Sequence, residues 1–369
     1  MLQMSEMPRH ILMTIDAVGG VWRYAMDLAA ALAERGIETV FVGLGPEPSP
    51  AQAAEASRIG KLVWLDLPLD WLTDDPAALD ALPGELARLV REHSIEIVHL
   101  NLPTQAFGLE LPCPVVVASH SCVPTWFKVV RGTELPAAWA WHKERNAEGL
   151  RRADIVLVPS LSHKNLLEQC YEPVDGLTVV PNATMPQRAA PAKEALVLAA
   201  GRWWDEGKNG AVLDAAAGRL DWPVLMAGAT QGPNGEAINI RNARVLGELS
   251  GSALRALMSR AAILASPSLY EPFGLAALEG ASAGAALVLS DIPTYRELWD
   301  GAAQFVPPLD STAWIAALNL LARDSELRET LGRSARIRAG RFTVAAQRDA
   351  VLSAYAAATR RFPESKRAA

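Results

Sequence analysis

Short apolar runs alternate with amphipathic stretches from one end of this chain to the other, and that alternation decides the fold class. Ile11-Leu-Met-Thr-Ile15 predicts a buried strand, and Val21 to Arg35 an amphipathic helix stopped by Gly36. Thr39-Val-Phe-Val42, Ile95-Glu-Ile-Val98, Pro114-Val-Val-Val117, Ile155-Val-Leu-Val158 and Leu177-Thr-Val-Val180 continue the series. A second series starts at Leu196-Val-Leu198 and runs through Pro223-Val-Leu-Met226, Arg244-Val-Leu246, Ala262 to Ala265 and Ala286 to Leu289. Strands separated by helices predict parallel sheets covered on both faces. Between the two series, Pro181 to Lys193 holds three prolines and no periodicity, which reads as a linker. At 369 residues the chain exceeds one typical domain, and each half suits one doubly wound domain. We expect domains at 1–185 and 186–342, and a final helix from near Thr343 to about Arg361 within the segment 343–369.

Composition excludes several functions. Half the residues are hydrophobic and 21% charged, as in a globular protein. A net charge of −6 leaves no basic footprint for nucleic acid. Cys113, Cys122 and Cys170 are too few and scattered for a disulfide framework or a zinc cluster, so a reducing cytoplasm is expected. Met1 to Arg9 lacks the apolar core of a signal peptide, and no run is long enough to span a membrane.

Open α/β sheets bind ligands at the carboxyl ends of their strands. Four loops fall there: Gly19-Gly20 after the first strand, His120 after Val115-Val-Val117, Arg202 after Leu196-Val-Leu198, and Glu271 after Ile263-Leu264. Two glycines opening a helix allow positive φ and leave backbone N–H groups bare for a phosphate or a sugar. No Gly-x-Gly-x-x-Gly is present; Gly43-Leu-Gly45 is followed by Pro46 and Pro48, which argues against a nicotinamide or flavin site.

The richest segment is Ser266-Pro-Ser-Leu-Tyr-Glu-Pro-Phe-Gly-Leu-Ala-Ala-Leu-Glu279. It predicts a strand end, a loop holding Glu271, a helix opened by Pro272, and Glu279 about two turns beyond Glu271. The N–H groups near Phe273, Gly274 and Leu275 would favour an anion, and the carboxylates would take hydroxyls. Gly201-Arg-Trp-Trp-Asp-Glu-Gly-Lys208-Asn209 sets Arg202 and Lys208 on one loop, able to clamp a diphosphate. Trp203 and Trp204 read as packing residues. Cys122 has no base beside it and is a poor nucleophile.

These two segments resemble the Glu-x7-Glu motif and the Gly-Arg-x5-Lys loop of the retaining glycosyltransferases of family 4, with Asn209 where that family usually has Gly. Asp291-Ile-Pro-Thr-Tyr-Arg-Glu297 also matches the family's next loop. The resemblance implies a GT-B fold: two Rossmann-like doubly wound parallel-sheet domains facing an interdomain cleft, with the last helix crossing back to the first. It implies a retaining, metal-independent hexosyltransferase that takes a UDP-, GDP- or ADP-sugar as substrate and needs no cofactor. Arg202, Lys208, Glu271 and His120 would carry catalysis. Gly19, Gly20, Arg202, Lys208, Glu271, Phe273, Gly274, Leu275 and Glu279 would bind the donor, as would Gly247, Glu248 and Leu249 of Val245-Leu-Gly-Glu-Leu249, the segment bordering the base. Glu279 would hold the ribose, Glu271 the transferred sugar. His120 is followed by Ser121 and Cys122, where the family usually has an acidic or amide residue. The acceptor would be a glycan, a lipid-linked sugar or a small molecule. A non-catalytic sugar-nucleotide-binding protein, or another GT-B enzyme such as an epimerase, is the alternative.

Trp126 to Arg152 is rich in tryptophan, and its basic residues outnumber its acidic ones. It reads either as a surface for anionic lipid, placing the protein at the inner face of the cell membrane, or, as we prefer, as an amphipathic helix packed through its tryptophans.

Overall fold

The computed structural model describes residues 7–187, 189–190 and 192–363. The start of the polar N-terminus, positions 188 and 191 of the linker, and the end of the C-terminal segment lie outside the described residues. The chain forms two compact units. One runs up to Asn182 and resumes at Val344; the other spans Ala183–Thr343.

The first unit contains β1 (His10–Asp16), β2 (Glu38–Leu44), β3 (Lys61–Trp64), β4 (Ile97–Leu100), β5 (Val115–Ala118), β6 (Ile155–Val158) and β7 (Leu177–Val179). They form a seven-stranded parallel sheet in the order β3-β2-β1-β4-β5-β6-β7. Side chains of β1 alternate faces. Ile11, Met13 and Ile15 pack with Ala25, Leu28 and Leu32 of the helix Gly20–Ala33 and with Val351 and Tyr355 of the helix Val344–Arg361. Leu12 joins Leu86 and Leu89 of the helix Leu82–Glu92 on the other face. Truncating a fully enclosed residue such as Leu12 to Ala should cost about 2–5 kcal/mol.

The second unit contains β8 (Glu194–Ala200), β9 (Val224–Ala227), β10 (Arg244–Gly247), β11 (Ala261–Ser266), β12 (Ala286–Ser290) and β13 (Gln304–Val306). Its six-stranded parallel sheet has the order β10-β9-β8-β11-β12-β13. Leu198, Leu264 and Leu287 pack on one face, and Val197, Ile263 and Val288 on the other. A Cβ at Gly280, in the helix Leu275–Ser282, would lie 2.9 Å from Leu264 Cδ2, so a glycine there lets that helix lie close on β11.

In each sheet the strand order reverses once, between β1 and β4 and between β8 and β11. A parallel sheet opens a crevice outside its carboxyl edge at such a reversal.

Three local expectations need correction. Pro272 does not open a helix: the helix starts at Leu275, with Gly274 before it at φ +94°, so Glu279 lies only about one turn into it. Gly19 sits at φ −161°, extended backbone that any residue adopts, and Gly20 is not at positive φ either. The helix Ala140–Arg152 buries His142, Asn146, Gly149 and Leu150, whereas Trp126, Trp139 and Trp141 are only half-buried. A Cβ at Gly149 would strike the Pro103 carbonyl, so the helix backbone itself lies directly against that turn.

Candidate active site

At the carboxyl end of β8, the backbone N–H of Gly201 bonds the carbonyl of Ala227, and Trp203 Nε1 donates to the same oxygen at 2.9 Å. Trp203 is thus a buried anchor of the loop. Asp205 accepts from the Gly207 N–H at 2.9 Å and caps the short turn Glu206–Lys208. Asn209 then takes φ +53°, ψ 40°, the left-handed region that explains the resemblance to a glycine position. Its side-chain amide donates to the Pro267 carbonyl at 3.0 Å and the Pro308 carbonyl at 2.7 Å. The Leu269 N–H bonds the Gly207 carbonyl at 2.8 Å. The loops after β8 and β11 are therefore stitched together.

That stitching brings Lys208 Nζ to 2.6 Å from Glu271 Oε2, with both side chains mostly shielded from solvent. Arg202 lies 3.4 Å from Asp205 Oδ2, and its guanidinium stands 5.4 Å from the centre of the half-buried Trp204 ring. Phe273 is buried in the core, against Phe342, so only its backbone can reach a ligand. No side chain caps the helix after Gly274, which leaves its first N–H groups available to an anion. A Cβ at Gly274 would lie 2.7 Å from Tyr295 Cε1, and Tyr295 bonds Ser266 Oγ at 2.5 Å beneath it. Glu279 is half-buried within Leu275–Ser282. The end of β10 is drawn in as well. Gly228, at φ +121°, donates to the Gly247 carbonyl at 2.7 Å, and a Cβ there would collide with the Gly201 carbonyl. Gly247, Glu248 and Leu249 lead from β10 to Ser250, which caps the helix Gly251–Arg260. The second unit thus gathers its proposed donor residues on the carboxyl ends of β8, β10 and β11. Sequence reasoning missed Gly228, where the lack of room for a Cβ comes from a neighbour distant in sequence.

In the first unit, Asp16 ends β1 and accepts from the Val18 N–H at 2.9 Å, which shapes the turn into Gly19-Gly20. Arg23, one turn on, pairs with Asp27 and Glu55, each at 2.8 Å, and is occupied structurally. His120, after β5, bonds Asn101 Oδ1 through Nε2 at 2.9 Å, and its ring meets the edge of Tyr24 at a centroid distance of 4.4 Å. Burial pushes the His120 imidazole down to about 4, so it is neutral at pH 7. His99, on β4, lies between the hydroxyls of Tyr355 (2.9 Å) and Tyr24 (3.3 Å), and burial takes it down to about 3. Cys122 bonds Thr125 and Tyr171, and burial raises its thiol to about 11, so it stays un-ionised. Asn101 and His99 were not picked out in the sequence, because the strand that carries His99 and ends just before Asn101 sits two residues later than Ile95–Val98.

Among the described residues no group of three or more His, Cys, Asp or Glu could hold a metal ion. No described helix is long and apolar enough to cross a membrane.

Residues 18–188 match the pattern of Glycosyltransferase Family 4, and residues 185–338 that of Glycosyl transferases group 1. The chain is 25% identical over 347 residues to a phosphatidyl-myo-inositol mannosyltransferase of Mycobacterium leprae, covering 86% of this chain and 87% of that protein. Over 73 residues it is 34% identical to the O-antigen chain mannosyltransferase RfbU of Salmonella typhimurium, covering 20% of this chain and 21% of that one. Its fold is similar to sucrose-phosphate synthase from Thermosynechococcus elongatus, with TM-score 0.77 and 19% identity over 93% of this chain and 98% of the other. It is also similar to Anabaena HepE in complex with UDP-glucose, with TM-score 0.73 and 15% identity over 93% and 98%.

Proposed function

The chain belongs to the family-4 glycosyltransferases, and from that membership we propose that it moves a hexose from a nucleotide sugar to an acceptor hydroxyl with retention of configuration. One observation carries the residue-level reading: Lys208 and Glu271 meet at 2.6 Å where β8 and β11 part. A cation and a carboxylate beside an uncapped helix suit a ligand that is anionic at one end and hydroxylated at the other. Arg202 and Lys208 neutralise the diphosphate as it leaves, which is the largest electrostatic demand of the reaction. The N–H groups near Gly274 and Leu275 assist. Glu279 takes the ribose hydroxyls, Glu271 the hydroxyls of the transferred sugar, and the segment Gly247–Leu249 borders the base. The anomeric C–O bond to phosphate breaks as the acceptor oxygen bonds the same carbon from the same face. The acceptor's proton passes to the released phosphate oxygen, so no protein nucleophile and no metal ion is required.

The acceptor belongs to the first unit, and His120 serves as a hydroxyl-binding residue there. The protein works in the cytoplasm, on a glycan or lipid-linked sugar. Purified protein incubated with UDP-glucose, GDP-mannose and ADP-glucose tests the reading through thermal shift and donor hydrolysis. A true donor at 100 times its dissociation constant should stabilise by roughly 2.7 kcal/mol. No shift and no hydrolysis with any nucleotide sugar would overturn it.

A further inference from the structure

We propose that Asn101 is a positioning residue that holds His120 as its Nε2–H tautomer and leaves Nδ1 as the ring's acceptor for a ligand hydroxyl. Thr14 stands third from last in β1. Its carbonyl oxygen lies 2.5 Å from Asn101 Nδ2. A carbonyl only accepts, so the edge of the Asn101 amide against it must be the NH2 edge. The amide cannot flip without setting oxygen against oxygen. Its backbone is held too: the Asn101 N–H donates to Thr14 Oγ1 at 2.8 Å, and that hydroxyl donates to Gln105 Oε1 at 2.7 Å. Gln105 Oε1 also accepts from the Leu102 N–H at 3.2 Å. Thr14, Asn101 and Gln105 are all buried, so each of these bonds forms away from water.

With the NH2 edge committed to Thr14, the edge facing His120 is the oxygen, 2.9 Å from Nε2. An amide oxygen only accepts, so Nε2 carries the proton. The ring does not hold a second one, because burial pushes it down to about 4 and keeps it neutral at pH 7. Nδ1 therefore bears a lone pair. No described protein group bonds Nδ1, and it is not among the enclosed unpartnered polar atoms, so it is open to solvent or ligand. A lone pair there accepts from a hydroxyl and repels a phosphate oxygen. The ring thus favours a ligand's hydroxyls over a phosphate. This last step rests on the transferase reading; the tautomer does not.

Two-bond proton–nitrogen correlation spectra of 15N-labelled protein at pH 7.5 read the tautomer directly. The His120 signals are assigned by their loss in His120→Gln. The wild type should show Nε2–H with unprotonated Nδ1. Asn101→Leu, which removes the acceptor, should shift His120 to a mixture of tautomers. Asn101→Gln, which keeps an amide able to donate to Thr14 and accept from His120, should retain Nε2–H. With whichever of UDP-glucose, GDP-mannose or ADP-glucose is turned over, Asn101→Leu should lower kcat/KM about tenfold and Asn101→Gln should recover most of it. A wild-type ring protonated at Nδ1, or an unchanged tautomer in Asn101→Leu, overturns the proposal. Should Asn101→Leu fail to fold, the wild-type spectrum decides it: Nε2–H upholds the proposal and Nδ1–H overturns it. The expected tautomers without turnover of any nucleotide sugar would leave the positioning role standing and overturn the transferase reading instead.

Discussion

Lys208 and Glu271 form a 2.6 Å ion pair although they are 63 positions apart, and each stands on the loop after a strand that flanks the sheet's reversal. A diphosphate arriving at Lys208 must compete with Glu271 for the same ammonium. Glu271→Gln removes that competition, so affinity for UDP, GDP or ADP should stay level or rise, while turnover falls about tenfold or more. Glu279→Gln should weaken the bare nucleoside diphosphate and the intact donor alike. Calorimetry beside transfer rates checks both. Equal weakening of the diphosphate by the two changes would mean that the division of labour is wrong.

Asn209 combines left-handed backbone with two side-chain bonds, to Pro267 and Pro308. Asn209→Gly keeps the backbone comfortable and loses the bonds; Asn209→Ala loses the bonds and strains the backbone. The expected order of stability in urea unfolding is Asn, Gly, Ala, with Ala lower than the parent by about 2–4 kcal/mol. An alanine variant as stable as the glycine one would show that the left-handed turn carries no constraint.

Acid should weaken the first unit selectively. All six histidines precede Asn182, and burial depresses His99 and His163 to about 3 and His120 to about 4. Unfolded, each would titrate near the ordinary value of about 6.5. Between the folded and unfolded values the unfolded chain binds more protons, so stability is full above pH 6.5 and drains away as pH falls. A fully enclosed histidine should cost about 1 kcal/mol for each pH unit below that point. Asp70 works the other way: burial raises its carboxyl to about 6, and protonation there favours the folded state. The histidines outnumber it. Hydrogen exchange, corrected for intrinsic rate, should show 10–180 losing protection from pH 7.5 to 5.5 while 194–340 holds. Equal loss in both ranges would contradict this.

Activity should survive EDTA. On the proposed reading, Arg202 and Lys208 would supply the positive charge that a divalent ion would otherwise bring to the diphosphate. Loss of activity in chelator, restored by magnesium or manganese, would reverse that assignment.

The strand–helix alternation and the ligand loops were legible because they rest on local pattern. Ile155–Val158 is the same span in sequence and structure, and the loops bearing Arg202 and Glu271 follow strands as expected. What escaped was set by distant partners. Polar His99 belongs to a buried strand only because Tyr24 and Tyr355, 75 and 256 positions away, enclose it. The helix expected at Pro272 starts later because Gly274 takes left-handed backbone, which interrupts a helix, at a place where a Cβ would meet Tyr295. β3 and β13 are short and only partly buried, so their apolar pattern is weak.

The most direct test of the central claim, that the loops after β8 and β11 hold the diphosphate of a nucleotide sugar, is calorimetric titration of UDP, GDP and ADP into the wild type, Arg202→Ala and Lys208→Ala. A charge-assisted hydrogen bond contributes roughly 1.5–3 kcal/mol, so each substitution should weaken the preferred nucleotide by about tenfold or more without unfolding the protein. A wild type that binds none of the three, or variants that bind as tightly as the parent, would contradict it.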